Sequence, residues 1–267
     1  MSTPQIGRIR YLSPPADVSI SNDWYPVATL EHFWTKRRFQ VMCRLAGQLV
    51  DQASAIAEVG CGHGLLQRQI EDAYCREVTG FDLNELALEQ SVSRISPLCC
   101  YDVFQKRLEY RSCFDLIFLF DVLEHVSEEG SFVNAIKFHL APRGKIVINV
   151  PAMQPLYSKF DRAVGHFRRY SIDGLWRVAQ GSGMTVSDWS YWGLPLTPLL
   201  ALRKVWLTGR PQGKIISEGF NSRGPLINRL LLWASRCEPI PQRLLGSALM
   251  AVLEPRRNVM MDGAISS

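Results

Sequence analysis

The chain reads as an α/β protein built on a doubly wound, mostly parallel sheet, and three observations carry that reading. Between Ala55 and Val150 short apolar runs of strand length alternate with helical patterns, the rhythm of strands joined by crossover helices. Phe114 to Phe120 (FDLIFLF) is almost unbroken apolar sequence, as a strand covered on both faces must be. A glycine-rich turn, Glu58-Val59-Gly60-Cys61-Gly62-His63-Gly64, stands between a strand-like run and a helix start, and an acid follows about twenty residues on.

The elements follow in order. Trp24 to Asp51 is predicted helical, with Phe33, Trp34, Phe39, Val41, Met42, Leu45 and Leu49 interrupted by Lys36-Arg37-Arg38 and Arg44. Ala55-Ile56-Ala57 is the first buried strand, and Leu65 to Ile70 starts a helix behind the glycine turn. Glycines spaced two apart let the backbone turn tightly and approach a ligand that a Cβ would block. Val78 to Asp82 is the second strand, and Asn84 is a natural N-cap for a helix over Glu85 to Ile95. Leu98 to Phe104 reads as the third strand and Phe114 to Phe120 as the fourth. Ser127 to Leu140 is an amphipathic helix, Pro142-Arg143-Gly144 a turn, and Lys145 to Val150 a strand of β-branched residues. Ile172 to Gln180 is helical, Met184 to Tyr191 strand-like, and Ser247 to Leu253 a final strand. The proline-punctuated, basic and aliphatic stretch before that strand reads as an insertion within the last strand pair. The expected organisation is an N-terminal helical cap segment (1–50), a core (51–194), a helical insertion (195–246), and the last strand with its tail (247–267).

Composition narrows the class. With 267 residues, 47% hydrophobic and 21% charged, the chain suits one large domain carrying an insertion rather than a disordered protein. Seven cysteines at irregular spacing, with no CxxC pair, show no disulfide framework and fit free thiols in a reducing, cytoplasmic setting. The N-terminus lacks the apolar core of a signal peptide, and Leu194 to Leu207 is broken by Pro195 and Pro198 and charged at Arg203 and Lys204, so it does not read as a membrane span. The net charge is +5, and the excess lies late: Arg203, Lys204, Arg210, Lys214, Arg223, Arg229, Arg236 and Arg243 stand against Glu218 and Glu238.

EVGCGHG (58–64), GFDLN (80–84), Tyr101-Asp102, FDLIFLFDVLEHV (114–126) and APRGKIVINVP (141–151) together resemble the class I, Rossmann-like S-adenosylmethionine-dependent methyltransferases. The GxGxxG fingerprint of the nicotinamide dehydrogenases is not what stands here. The resemblance implies a seven-stranded, mostly parallel sheet with a helical cap. It also implies that Glu58, Gly60, Cys61, Gly62 and Gly64 hold the methionine part of the cofactor, that Asp82 takes the ribose hydroxyls with Leu83 against adenine, and that Asp102 accepts from the adenine amino group. Phe120 and Asp121 would border the methyl-transfer site. Asp82 also suits a helix N-cap, since helical residues follow it at once.

For the acceptor, His125 and His166 are candidate bases, because imidazole is the side chain best matched to proton removal near neutral pH. His125 equally suits packing against the next helix. Asp121, Glu124 and His125 fall at i, i+3 and i+4 and, joined by His166, form a candidate divalent-metal set. That set resembles the sites of plant small-RNA methyltransferases and some ubiquinone-pathway O-methyltransferases, departing from them in having Asp121 in place of glutamate; a metal-free site is the favoured expectation. The segment 151–171 resembles the crossover that shapes the acceptor pocket in a subset of bacterial methyltransferases. Its Tyr157, Arg168, Arg169 and Tyr170 are candidate acceptor contacts, Arg168 and Arg169 as grips on a carboxylate or phosphate. A solvated turn is the plainer alternative.

In the insertion, leucines and tryptophans beside arginines suit a lid, core packing, a dimer interface or a peripheral membrane contact. Basic residues scattered among aliphatics, without an aromatic stacking platform, argue against nucleic acid as a partner. The expected activity is O-methylation of a small or lipid-like metabolite. Nitrogen or carbon methylation, or cofactor binding without catalysis, are the alternatives.

Overall fold

The computed structural model describes residues 9–16, 25–207, 209, 215 and 224–256. The expected helix start at Trp24, the basic residues Arg210, Lys214 and Arg223, Glu218, and the tail beyond residue 256 lie outside them. In chain order the elements are β1 (Ile9–Tyr11), α1 (Phe33–Gln52), β2 (Ile56–Val59), α2 (Leu65–Tyr74), β3 (Thr79–Asp82), α3 (Glu85–Glu89), β4 (Leu98–Cys100), β5 (Phe114–Phe120), α4 (Glu129–His139), β6 (Leu140–Pro151), α5 (Lys159–Ala163), α6 (Ile172–Gly181), β7 (Met184–Trp192), α7 (Thr197–Leu207), α8 (Pro225–Ser235) and β8 (Ala248–Pro255).

The strands form one sheet in the order β1-β4-β3-β2-β5-β6-β8-β7. Only β8 runs against its neighbours, pairing antiparallel with β6 and β7, while every other described pair is parallel. The chain departs in opposite directions from β2 and β5, which lie side by side. Their C-terminal ends therefore frame the crevice where α/β sheets place ligands.

Strand β5 shows why both faces are covered. Leu116 and Phe118 pack with Val41, Met42, Ala46 and Val50 of α1 and Leu66 and Ile70 of α2. Ile117 and Leu119 pack on the opposite side with Phe132, Val133 and Ile136 of α4 and Leu175 and Ala179 of α6. Alternation along one strand thus feeds two helical layers. α7 and α8 lie between β7 and β8, whose pairing runs from Met184–Pro255 to Trp192–Ala248, so the insertion does interrupt the last strand pair.

Several expected boundaries move, each for a local reason. Seven strands were expected and eight are present among the described residues, because Ile9–Tyr11 pairs in parallel with Leu98–Cys100 and covers the edge of β4. The first helix begins at Phe33, where His32 Nδ1 accepts from Trp34 N–H. The helix expected to reach Ile95 ends at Glu89. The buried Glu71 carboxylate gathers Ser93 Oγ, Ser96 Oγ and the N–H groups of Arg94, Ile95 and Ser96, drawing that segment out of helical geometry. The third strand stops at Cys100, as Asp102 Oδ1 accepts from Phe104 N–H and caps a short 3-10 turn. Helix α4 occupies Glu129–His139 within the expected Ser127 to Leu140. Pro142-Arg143-Gly144 is a bulge rather than a separating turn: Phe114 faces Leu140 and Leu116 faces Lys145.

Candidate active site

The loops leaving β2, β3, β4 and β5 wall one end of a cavity of about 650 Å³. Gly60, Gly62 and Gly64 have φ of 74°, 53° and 76°, a region that strains residues bearing a Cβ. At Gly60 a Cβ would stand 2.4 Å from Val122 Cγ2. Gly60 and Cys61 N–H groups donate to Phe81 O at 2.8 and 3.2 Å, fastening the turn to β3. Gly62 N–H donates to Asp82 Oδ2 at 2.7 Å, and Asn84 N–H donates to Asp82 Oδ1 at 2.8 Å. Two main-chain bonds therefore aim the Asp82 carboxylate, and each oxygen keeps a further lone pair. Burial raises the Asp82 carboxyl above its usual range.

Glu58 lines the same end, only 3% exposed. Burial pushes its carboxyl to about 8, and its Oε2 has no hydrogen-bond partner among the described residues. A buried acid oxygen without a donor is costly, and a cationic donor in the cavity would satisfy it. S-Adenosylmethionine fits this end: its ammonium suits Glu58, its ribose hydroxyls suit Asp82, and the side-chain-free turn leaves room between them. Cys61, Leu83 and Asp102 wall this part of the cavity, as does Phe120 at the tip of β5.

Asp121 follows Phe120 with φ of 57°, rare for a residue with a side chain and a mark of local strain. Its carboxylate takes Arg38 Nη1 on one oxygen and Asn149 Nδ2 at 2.6 Å on the other. The Arg38 guanidinium also lies 5.2 Å from the Phe120 ring centroid.

Beyond this lies a second group of ionisable side chains. A single 3-10 turn, Leu123–His125, carries Glu124 and His125. Glu124 is 0% exposed, and neither of its carboxylate oxygens has a hydrogen-bond partner among the described residues. Burial, and then the neighbouring Asp121 charge, push its carboxyl well above the usual carboxylate range. The His125 and His166 rings meet edge to face at 4.8 Å between centroids. Burial, and then His166, lower the His125 pKa to about 3, while its hydrogen bond to the Gly165 backbone opposes them.

His166 Nδ1 lies 3.1 Å from Asp161 Oδ1, and its Nε2 lies 3.8 Å from Glu124 Oε1. Asp161 is itself anchored: Ser158 N–H donates to Oδ2 at 2.8 Å in a capping box, and Arg169 Nε donates to Oδ1 at 2.7 Å. Burial alone would raise this carboxyl, but the bond from His166 and the charge and bond of Arg169 outweigh it and hold it well below the usual range. An ionised Asp161 fixes the imidazole with its hydrogen on Nδ1 and turns the Nε2 lone pair towards Glu124.

Three expected acceptor contacts serve elsewhere. Tyr157 donates its hydroxyl to His166 O at 2.8 Å. Arg168 pairs with Glu129 Oε2 at 2.5 Å and donates to Ser127 O at 3.1 Å. Tyr170, deep in the core, donates to Leu123 O at 3.1 Å and to Glu129 Oε1 at 2.5 Å. These side chains clamp the crossover and do not wall the cavity; Arg169 does, with Nε and Nη1 engaged by Asp161 and Ala152 O. Of the candidate metal set, Glu124, His125 and His166 place ligand atoms within 4.8 Å of one another, whereas Asp121 is drawn off by Arg38 and Asn149.

Other wall residues were not singled out as site residues from sequence. Tyr25 lines the cofactor end, its hydroxyl accepting from Asn84 Nδ2 at 3.0 Å. The insertion contributes Leu196, Leu199, Leu200 and Arg203, with Leu231 from α8. The first four recur at i, i+3, i+4 and i+7, a helical stripe legible in the sequence. Arg203 packs its guanidinium 4.3 Å from the Phe160 ring centroid, and burial with Arg169 nearby lowers its pKa to about 10.

Residues 57–148 match the model of a methyltransferase domain family. No curated protein matches the chain. Among solved structures, an S-adenosylmethionine-dependent methyltransferase from Thermotoga maritima is similar at a TM-score of 0.57 and 12% identity, covering 88% of this chain and 95% of that one. Phosphoethanolamine N-methyltransferase 2 of Haemonchus contortus, in complex with S-adenosylmethionine, is similar at 0.54 and 15% identity over 84% of this chain and 53% of that one. A [4+2]-cyclase is similar at 0.52 and 14% identity, covering 83% and 81%. These likenesses are of fold, and the cyclase among them shows that the fold alone does not fix the reaction. The matched segment takes in the glycine turn, Asp82, Asp102 and the tip of β5, so the part of the chain that walls this end of the cavity is the part that matches a methyltransferase domain.

Proposed function

We propose that the protein methylates an oxygen of a small or lipid-like acceptor, with His166 as the base that removes its proton. The observation that carries this reading is the Asp161–His166 pair, which directs an imidazole lone pair towards the acceptor end of the cavity. When bound, S-adenosylmethionine supplies an electrophilic methyl carbon on a sulfonium, so the chain's own task is alignment and proton removal. His166 Nε2 would take the acceptor proton, and Asp161 would stabilise the resulting imidazolium through Nδ1–H. Glu124 Oε1 stands 3.8 Å from His166 Nε2, beside the base. His125, with its depressed pKa, is a poor base and instead presents a neutral face to His166. Phe33, Trp34, Leu199, Leu200 and Leu231 make the surrounding wall apolar, which suits an apolar or amphiphilic acceptor.

His166→Ala is expected to lower turnover on the true acceptor by about 100- to 10,000-fold, with the dissociation constant for S-adenosylmethionine nearly unchanged by calorimetry. Asp161→Asn should lower turnover in the same direction by favouring the wrong tautomer. Full turnover in both variants would overturn the base assignment and favour a nitrogen acceptor already free of its proton. Cofactor binding without turnover on any acceptor would favour a binding role.

A further inference from the structure

We propose that the outer faces of α7 and α8 dock on an anionic lipid surface, so that the acceptor reaches the cavity from the membrane side. This rests on the reading of the acceptor as lipid-like.

Both helices turn apolar residues outward. Leu202, Val205 and Trp206 on α7, and Leu226, Ile227, Leu230 and Trp233 on α8, are 36% to 78% exposed. Leu226, Leu230 and Trp233 stand at i, i+4 and i+7, and Leu202, Val205 and Trp206 at i, i+3 and i+4, so each set is one helical stripe. Burying apolar side chains of this size is favourable, and seven of them lie on the outside of one insertion. Scattered surface leucines need no explanation, whereas stripes on two helices of one insertion do.

The stripes are continuous with the cavity. Leu199, Leu200 and Arg203 of α7 and Leu231 of α8 wall it, so both helices stand at its mouth with one face inward and the other outward. An apolar acceptor leaving a bilayer would not need to cross water.

Charge selects the occupant. In sequence the stretch from Arg203 to Arg243 holds eight basic residues and two acids; Arg203 walls the cavity, Arg243 pairs with Asp188, and Arg210, Lys214, Arg223 and Glu218 lie outside the described residues. One of those acids, Glu238, is buried, paired with Arg37 and bonded to Gly193 and Leu194 N–H groups, and so offers little field outside. Arg229 and Arg236 are exposed on or just after α8. A second copy of this chain would set the same basic residues face to face, whereas an anionic surface attracts them, each by about 1 kcal/mol. Among the described residues no helix is long and apolar enough to cross a membrane. Short helices with tryptophan and leucine on one face and basic flanks lie in the interface plane.

The test is flotation of the full chain with vesicles of phosphatidylcholine alone or mixed with phosphatidylglycerol. Binding is expected to the mixed vesicles only and to weaken with added salt. It should be lost in Leu226→Ser/Leu230→Ser/Trp233→Ser, while S-adenosylmethionine affinity by calorimetry stays unchanged. Arg229→Gln/Arg236→Gln removes no apolar contact, guards against misfolding of the first variant, and should reduce partitioning about fivefold per charge removed. Equal binding to neutral vesicles, or binding to neither kind, overturns the proposal. A stable dimer that the triple variant dissolves overturns it in favour of a second copy. Wild-type protein that floats with mixed vesicles but binds no S-adenosylmethionine would count against the methyltransferase reading and leave the docking surface standing.

Discussion

The donor end of the cavity is set by main chain, and the acceptor end by side chains. At the donor end three glycines of positive φ form the turn, and two backbone N–H groups aim Asp82. At the acceptor end Glu124, His125, Asp161, His166 and Arg169 hold one another, and Arg203 closes the wall from the insertion. A ligand that never changes can be met by a rigid strand-end scaffold. A web of buried ionisable groups instead responds as a unit, since in a low dielectric each charge sets the protonation of the next.

The comparison predicts that donor-side substitutions act on affinity and acceptor-side ones on turnover or stability. The largest effect on cofactor affinity is expected from Asp82→Ala, which removes two charge-assisted bonds of roughly 1.5 to 3 kcal/mol each and releases Gly62 and Asn84. Calorimetry should show S-adenosylmethionine affinity reduced on the order of a hundredfold or more, and an unchanged dissociation constant would refute the ribose assignment.

A smaller effect follows from Glu58. Its carboxyl near 8 is protonated at neutral pH in the empty site, so affinity should climb on the order of tenfold from pH 6.5 to 8 as the carboxylate forms. Glu58→Gln should flatten that limb; a climb that persists in the variant would assign it to another group. In the absence of cofactor the folded state holds the Glu58 proton to higher pH than the unfolded chain does. Stability should therefore fall as pH rises from about 4.5 to 8, and melting curves of wild type and Glu58→Gln should diverge over that window.

On the acceptor side, Tyr170→Phe is expected to cost about 1 to 2 kcal/mol of unfolding free energy, read by denaturant titration, with cofactor affinity intact. Arg168→Ala, whose ion pair with Glu129 is partly solvated, should cost at most about 1 kcal/mol. A large rise in acceptor KM with unaltered stability in Arg168→Ala would return that residue to the substrate.

The same contrast governs what could be read from sequence. Gly60, Gly62, Gly64, Glu58 and Asp82 stand at the ends of β2 and β3 where the sequence placed them, because strand-to-helix turns of this kind call for such residue types at fixed spacing. Tyr157, Arg168 and Tyr170 were not separable from true cavity residues. Polar groups on a crossover look alike in sequence, and their partners, Ser127, Glu129 and the Leu123 carbonyl, belong to distant segments. Helix α3 fell short of its pattern because one buried carboxylate, Glu71, outcompeted helical bonding from Ser93 to Ser96. Strand β1 is three residues long, too short for any periodicity. The stripe Leu196, Leu199, Leu200 and Arg203 was visible, but nothing local told which surface it would meet.

Consecutive arginines on α1 reach opposite parts of the molecule. Arg38 holds Asp121 at the floor of the cavity, and Arg37 holds Glu238, which in turn grips the N–H groups of Gly193 and Leu194 where the insertion leaves β7. The root of the insertion is thus riveted to the same helix that braces the sheet. Any opening wide enough to admit a bulky molecule must bend the outer lengths of α7 and α8, because swinging the insertion from its base would break the three contacts of Glu238 at once.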